Sequence, residues 1–238
     1  MIYFFWHDAR TSVRMEGDFM DDLHTATEGT RRRSGRPDKP IPRSELLRVA
    51  RGLFADHGYA GVSMADIAHK AGLQKSSLFH HFPTKDRLYH EVLDGVLAEI
   101  AEPVHAAYAV QGEGFVARLD AASVAAARAL GEDPTRARIT MRELLNQDGT
   151  AAHLDVIVRI IEATTAFFEA GAAAGAWPKQ DFHQVVLTIA GIYCFYFSVP
   201  AVSQRVGGGD PFSADAVERR VQTVRAQVRQ LLGLPATG

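Results

Sequence analysis

From Ser44 onward, apolar residues recur at intervals of three and four, the spacing of one face of an α-helix. Leu46, Leu47, Ala50, Leu53 and Phe54 share such a face behind Ser44 as N-cap, and Gly58 ends the run as a C′ residue would. Ser63, with Asp66 three residues on, starts a second, short helix with a capping-box-like pair; its buried face is Ile67, Ala68 and Ala71. Gly72 then makes a turn, Leu73 packs back, and a third short helix runs from about Gln74 to His81. Pro83-Thr84 breaks the chain and caps a fourth helix, Lys85 to about Glu102, which Pro103 ends or kinks.

Beyond Pro103 the pattern predicts five more helices, over 113–131, 134–147, 152–174, 181–203 and 213–232, and no strand. Pro134 stands at a helix N1 behind Asp133 as N-cap, and Leu154, Ile157, Ile161, Thr164 and Phe168 form a stripe. Val217, Val221, Val224, Val228 and Leu231 step by 4, 3, 4 and 3, an a/d seam that buries against other helices. The fold class is all-α.

Composition narrows the function classes. Of 238 residues, 47% are hydrophobic and 23% charged, which suits a packed core and excludes a wholly disordered chain. A lone cysteine, Cys194, excludes an internal disulfide or a Cys-based zinc cage and fits a reducing cytoplasm. The net charge of −2 is unevenly spread. Residues 1–30 hold 2 Lys/Arg and 6 Asp/Glu, residues 31–90 hold 12 and 5, and residues 91–238 hold 12 and 17. One short basic segment therefore sits inside a mildly acidic protein, as a polyanion-binding module would.

Residues 1–40 read as a tail that ends in a disordered basic arm, Arg31 to Arg36, followed by Pro37, Pro40 and Pro42. Its first 30 residues are acidic, with Met15 and Met20 as alternative start positions. The apolar Met1–Trp6 run is too short for a signal peptide and lacks a cationic flank. The uncharged Phe182–Gln204 stretch is long enough to raise a membrane span. Thr188, Gly191, Ser198 and Pro200, and the lack of a close Lys/Arg cluster, favour a buried helix instead, so no membrane partner is expected.

Residues 44–88 carry the informative pattern. Two short helices joined by a tight Gly-containing turn, with a third packed on them, make a helix-turn-helix. Its second helix must offer small or polar residues to base edges while its other face is anchored. Gln74, Lys75, Ser76, Ser77, His80 and His81 fit the exposed face, and Leu73, Leu78 and Phe82 the anchor.

The run SMADIAHKAGLQKSSLFHHFPTKDRL, Ser63 to Leu88, resembles the DNA-binding segment of TetR-type (tetracycline-repressor-like) transcriptional regulators. Leu53-Phe54 and Gly58-Tyr59 before it match the same family, and the resemblance covers residues 44–95. Gln74, Ser76 and Phe79 depart from the family's more usual Ser, Gly or Ala, and Tyr; Phe79 lacks the hydroxyl of one phosphate contact. The resemblance implies that Ser63 binds a phosphate through its hydroxyl and N–H, and that Lys75, Ser76 and Ser77 reach bases or nearby phosphates. It implies phosphate contacts for His80, His81 and Lys85, a backbone contact for Arg43, and a minor-groove role for the Arg31–Arg36 arm.

The resemblance also implies a division into a 1–40 extension, a 41–90 helix-turn-helix domain and a 91–238 effector-binding and dimerisation domain. The expected interface is a four-helix bundle from two subunits, using Val185, Ile189 and Ile192 with Val217, Val221, Val224 and Val228. The expected effector is a small apolar or aromatic molecule held between helices 113–131, 134–147 and 152–174. Met141, Phe167, Phe168 and Tyr193 would line its pocket, with His105 or Glu143 as polar contacts.

An enzyme reading finds little support. There is no His-x-x-x-His, the single Glu-x-x-His (Glu102, His105) straddles Pro103, and His153 and Asp155 diverge on a helix. No Gly-x-Ser-x-Gly or Gly-rich phosphate loop is present, so neither catalysis, nor a metal, nor a cofactor is expected. The expectation is a dimeric, ligand-responsive regulator, most simply a repressor, on a pseudo-palindromic operator of double-stranded DNA. The alternative is an all-α binding or scaffold protein whose basic arm contacts RNA or membrane phosphates.

Overall fold

The computed structural model describes residues 41–145 and 151–235; the basic arm and the acidic extension lie outside them. The described residues form ten helices and no strand. In chain order these are α1 (Arg43–His57), α2 (Met64–Lys70), α3 (Lys75–His81), α4 (Lys85–Tyr108), α5 (Phe115–Gly131), α6 (Pro134–Leu145), α7 (Ala151–Ala173), α8 (Phe182–Ser198), α9 (Pro200–Gly207) and α10 (Ala214–Leu231).

Local chemistry sets most of these boundaries. The Ser63–Asp66 pair is a reciprocal capping box at α2, while Thr84 caps α4, Asp181 caps α8 and Ser213 caps α10. Gly72 adopts φ 69° in the α2–α3 turn, a left-handed conformation that a β-carbon would strain. Three boundaries differ from the sequence expectation. Pro42, not Ser44, precedes the first helical residue, and Ser44 lies in the first turn of α1. Pro103 neither ends nor breaks α4, which runs on to Tyr108. Pro103 and Glu99, whose carbonyl it frees, both face solvent, where water can satisfy that carbonyl. The expected 181–203 helix is two, α8 and α9, bent by 81°. Val199 takes φ −118°, ψ 55°, because the residue before a proline is pushed out of the helical region, and Pro200 opens α9. No single helix among the described residues is long and apolar enough to cross a membrane.

Two apolar clusters result. The first gathers Leu46, Phe54, Ile67, Leu78, Phe82 and Leu88 from α1–α4, together with Ile139 of α6. The second joins Leu119 and Leu130 of α5, Phe168 of α7, Phe197 of α8, and Val221, Val224 and Val228 of α10. The partly buried Ile100 of α4 packs against both clusters.

Helix α6 ties the first cluster to the rest by charge as well as by packing. Arg142 donates to the carbonyls of Ala55 and Asp56 at 2.9 Å, satisfying groups that the end of α1 leaves open. Arg138 pairs with Asp56 at 2.8 Å. Glu99 of α4 accepts from both Arg51 of α1 (2.6 Å) and Arg136 of α6 (2.7 Å), and Arg51 also reaches Asp133 at 2.6 Å. Cys194 lies in α8, where burial pushes its thiol up to about 11.

Candidate functional site

The outward face of α3 is the first candidate surface. Leu78 and Phe82 are fully buried, which fixes the rotation of this short helix. That rotation leaves Gln74, Lys75, Ser76, Phe79 and His80 exposed and Ser77 and His81 half-buried. Lys75 stands 5.8 Å over the Phe79 ring. Polar donors and one aromatic edge therefore share a face free to meet a groove.

The flanking basic residues are more committed. The Arg43 guanidinium grips Glu91 through two hydrogen bonds, donates to the His81 carbonyl at 2.8 Å, and lies 4.1 Å over the Phe82 ring. The hydrogen bond to Glu91 raises the Arg43 pKa, so this cation is fixed in place between α1, α3 and α4. Lys85 donates to the carbonyls of Tyr59 and Val62 at 3.0 and 3.1 Å and sits 3.9 Å over the Tyr59 ring. It fastens the α1–α2 loop to α4. Ser63 is exposed, but its hydroxyl and N–H both bond the Asp66 carboxylate, at 2.6 and 2.8 Å. A phosphate at this position has to compete with that carboxylate.

A second candidate lies in the other half of the chain. An apolar cavity of about 130 Å³ is lined by α4, α5, α7, α8 and α10. Tyr108, Leu119, Ile161, Phe168, Val186 and Tyr193 are among its walls. The Tyr193 hydroxyl donates to the Ser123 carbonyl at 3.0 Å. Burial raises the pKa of the Tyr193 phenol; burial first, and then the nearby Tyr193, does the same for Tyr108. Both phenols are therefore neutral at physiological pH. A more open cavity of about 370 Å³ shares the Tyr108 wall and is lined also by His105, Phe115, Arg118 and Phe167.

Of the six residues expected around an effector, the structure brings four to these cavities: Phe168 and Tyr193 to the inner, His105 and Phe167 to the outer. Met141 and Glu143 line neither. Glu143 is buried at the junction of α4 and α6, where Tyr89 donates to it at 2.8 Å. One arrangement accounts for both: α6 turns its buried face toward α1, α4 and α8, away from these two cavities. Tyr108 lies beyond Pro103, where the sequence pattern ends the fourth helix short of the cavity, and Arg118, on the helix expected over 113–131, reads there as an ordinary surface cation.

The expected interface residues also divide. Val185, Ile189, Val221, Val224 and Val228 are buried in the chain's own second cluster, with Ile192 and Val217 packed partly buried against it. The apolar residues of α8 left outside are Leu187 and Phe195, 51% and 62% exposed, on one stripe with Gly191.

The family model for bacterial regulatory proteins, tetR family, matches residues 46–92. The transcriptional repressor KstR2 of Rhodococcus jostii (strain RHA1) is 41% identical over 58 residues, which are 24% of this chain and 28% of that protein. Two solved structures share the fold over most of the chain. PfmR, a TetR family transcriptional regulator from Thermus thermophilus, superposes with a TM-score of 0.63 at 19% identity, covering 84% of this chain and 100% of that one. AibR, in complex with isovaleryl coenzyme A and operator DNA, does so with 0.63 at 17% identity, covering 79% and 97%. Beyond residue 92 the likeness is one of fold. The head, residues 46–92, is thus similar to the tetR family of bacterial regulatory proteins, and the all-helical body behind it shares the fold of solved TetR-type regulators.

Proposed function

We propose that this protein is a ligand-responsive transcriptional repressor that acts in the cytoplasm, binding a pseudo-palindromic operator as a homodimer and released by a small molecule. Residues 41–90 serve as the DNA-binding domain and residues 91–238 as the effector-binding and dimerisation domain. The carrying observation is the rotation of α3: Leu78 and Phe82 are fully buried and Leu73 half-buried, while Gln74, Lys75, Ser76, Phe79 and His80 face outward together. Base reading falls to Gln74, Lys75, Ser76 and Ser77. Phosphate contacts fall to His80 and His81, and to Ser63 once a phosphate displaces the Asp66 carboxylate from it, with Arg43 and Lys85 bracing the head.

Dimerisation uses the outward stripe of α8, Leu187, Gly191 and Phe195, where the small Gly191 lets a partner helix come close. The buried valines of α10 support that surface from behind. Operator selection from random duplexes tests the reading. Binding falls steeply as salt rises, because phosphate contacts release counterions, and Lys75 or Ser76 variants prefer different bases. Salt-independent binding, or an unchanged preference in every α3 variant, overturns it.

A further inference from the structure

Arg118, in the first turns of α5, is a cation without a carboxylate partner among the described residues. Its guanidinium donates to the Tyr108 carbonyl and lies 4.9 and 5.2 Å from the centres of the Phe115 and Phe167 rings. The neighbouring Asp120 pairs through its Oδ2 with Arg229 at 2.8 Å. The Arg118 Nε is sealed from solvent with no hydrogen-bond partner, and so is the Nε2 of His105. Both side chains line the same outer cavity. Two unsatisfied nitrogens, one on a permanent cation, in one aromatic-walled cavity call for an acceptor that carries negative charge.

Behind them lies a chamber of opposite character. The inner cavity is walled almost wholly by aliphatic and aromatic groups, and Tyr108, stacked 3.9 Å from Phe167, is the wall the two cavities share. Its volume of about 130 Å³ is close to the roughly 150 Å³ of a dry apolar cavity that takes up benzene, so it suits about six carbons. A single guanidinium and one imidazole match one anionic group, not a polyphosphate.

We propose that the two cavities form one site for a monoanionic amphipathic carboxylate. Its carboxylate sits on Arg118 and His105, and its hydrocarbon tail reaches past Tyr108 into the inner chamber. This deepens the proposed function, on whose reading of the cavities as an effector site it rests, and adds a charge requirement.

Calorimetric titration of the full-length protein without DNA tests it, with sodium octanoate, 1-octanol and sodium acetate as probes. Octanoate binds saturably and at least tenfold more tightly than octanol, which lacks the charge, or acetate, which lacks the tail. Arg118→Gln removes that tenfold preference and leaves octanol binding unchanged, while Arg118→Lys keeps part of it. Equal affinity for octanoate and octanol overturns the inference, as does an Arg118→Gln protein that holds octanoate as the wild type does. Should Arg118→Gln fail to fold, the octanoate-to-octanol ratio on the wild-type protein decides alone. A gel shift on a selected operator, run in parallel, separates the two readings: octanoate that fails to bind a protein still able to shift its operator sinks only the carboxylate site.

Discussion

Gly171 stands on α7 where the Trp177 ring crosses it, and a β-carbon there would overlap that ring. The indole cannot easily retreat, because its N–H donates to the Phe168 carbonyl at 2.8 Å and its face meets Phe115, Phe167 and Phe168. Gly171→Ala therefore destabilises the protein by ~1–3 kcal/mol, the range of an overpacked core, read from urea unfolding. Asp133 offers a second test at this scale. Burial works to raise its pKa, but the hydroxyl and N–H of Thr135, and then Arg51 and Arg136, outweigh it and hold the carboxyl below its ordinary value. A carboxyl lowered by folding stabilises above the ordinary carboxylate range, and that contribution is lost as pH falls through the folded value. The urea midpoint accordingly drops below about pH 4, and Asp133→Asn makes that drop shallower.

Among the elements, α6 is the one whose work the sequence concealed. Its Arg142 caps the end of α1 from another part of the chain, so Arg142→Ala lowers stability by ~1–3 kcal/mol in thermal melts. The same change leaves the base preference of α3 untouched. The helices of the head were legible because their signals are local: Ser63 with Asp66, Gly58, Gly72 and Thr84 each act within a few residues. Pro103 and Pro200 show where local signals divide. Pro103 sits on a wet face that tolerates it, while Pro200 follows a residue that it forces out of the helix. Which way α6 faces was not legible, since Met141 and Glu143 fit an effector pocket or a head junction equally well by spacing. For the same reason the valine stripe of α10 announced burial but not what covers it.

At the level of the whole molecule, that ambiguity becomes a distinction between folding and assembly. Val224 has no exposed surface, whereas Phe195 is 62% exposed on α8. Val224→Asp places a charge in the core and unfolds the protein, as circular dichroism detects. If the α8 stripe forms the proposed dimer, Phe195→Asp keeps the melting temperature and yields a monomer by sedimentation, with operator binding lost because two heads no longer span half-sites ~34–36 Å apart. A Phe195→Asp protein that remains dimeric removes the α8 stripe from the interface.

The setting of Cys194 has a practical side. It is the one cysteine of the chain, and a thiol that burial pushes up to about 11 is almost wholly protonated at neutral pH. Thiolate is the form that maleimides and disulfide reagents attack, so the wild-type protein is nearly silent toward them. A cysteine placed at exposed Ser76 then becomes the single fast-labelling position, and a fluorophore there watches α3 alone while ligands are added at the far end of α4.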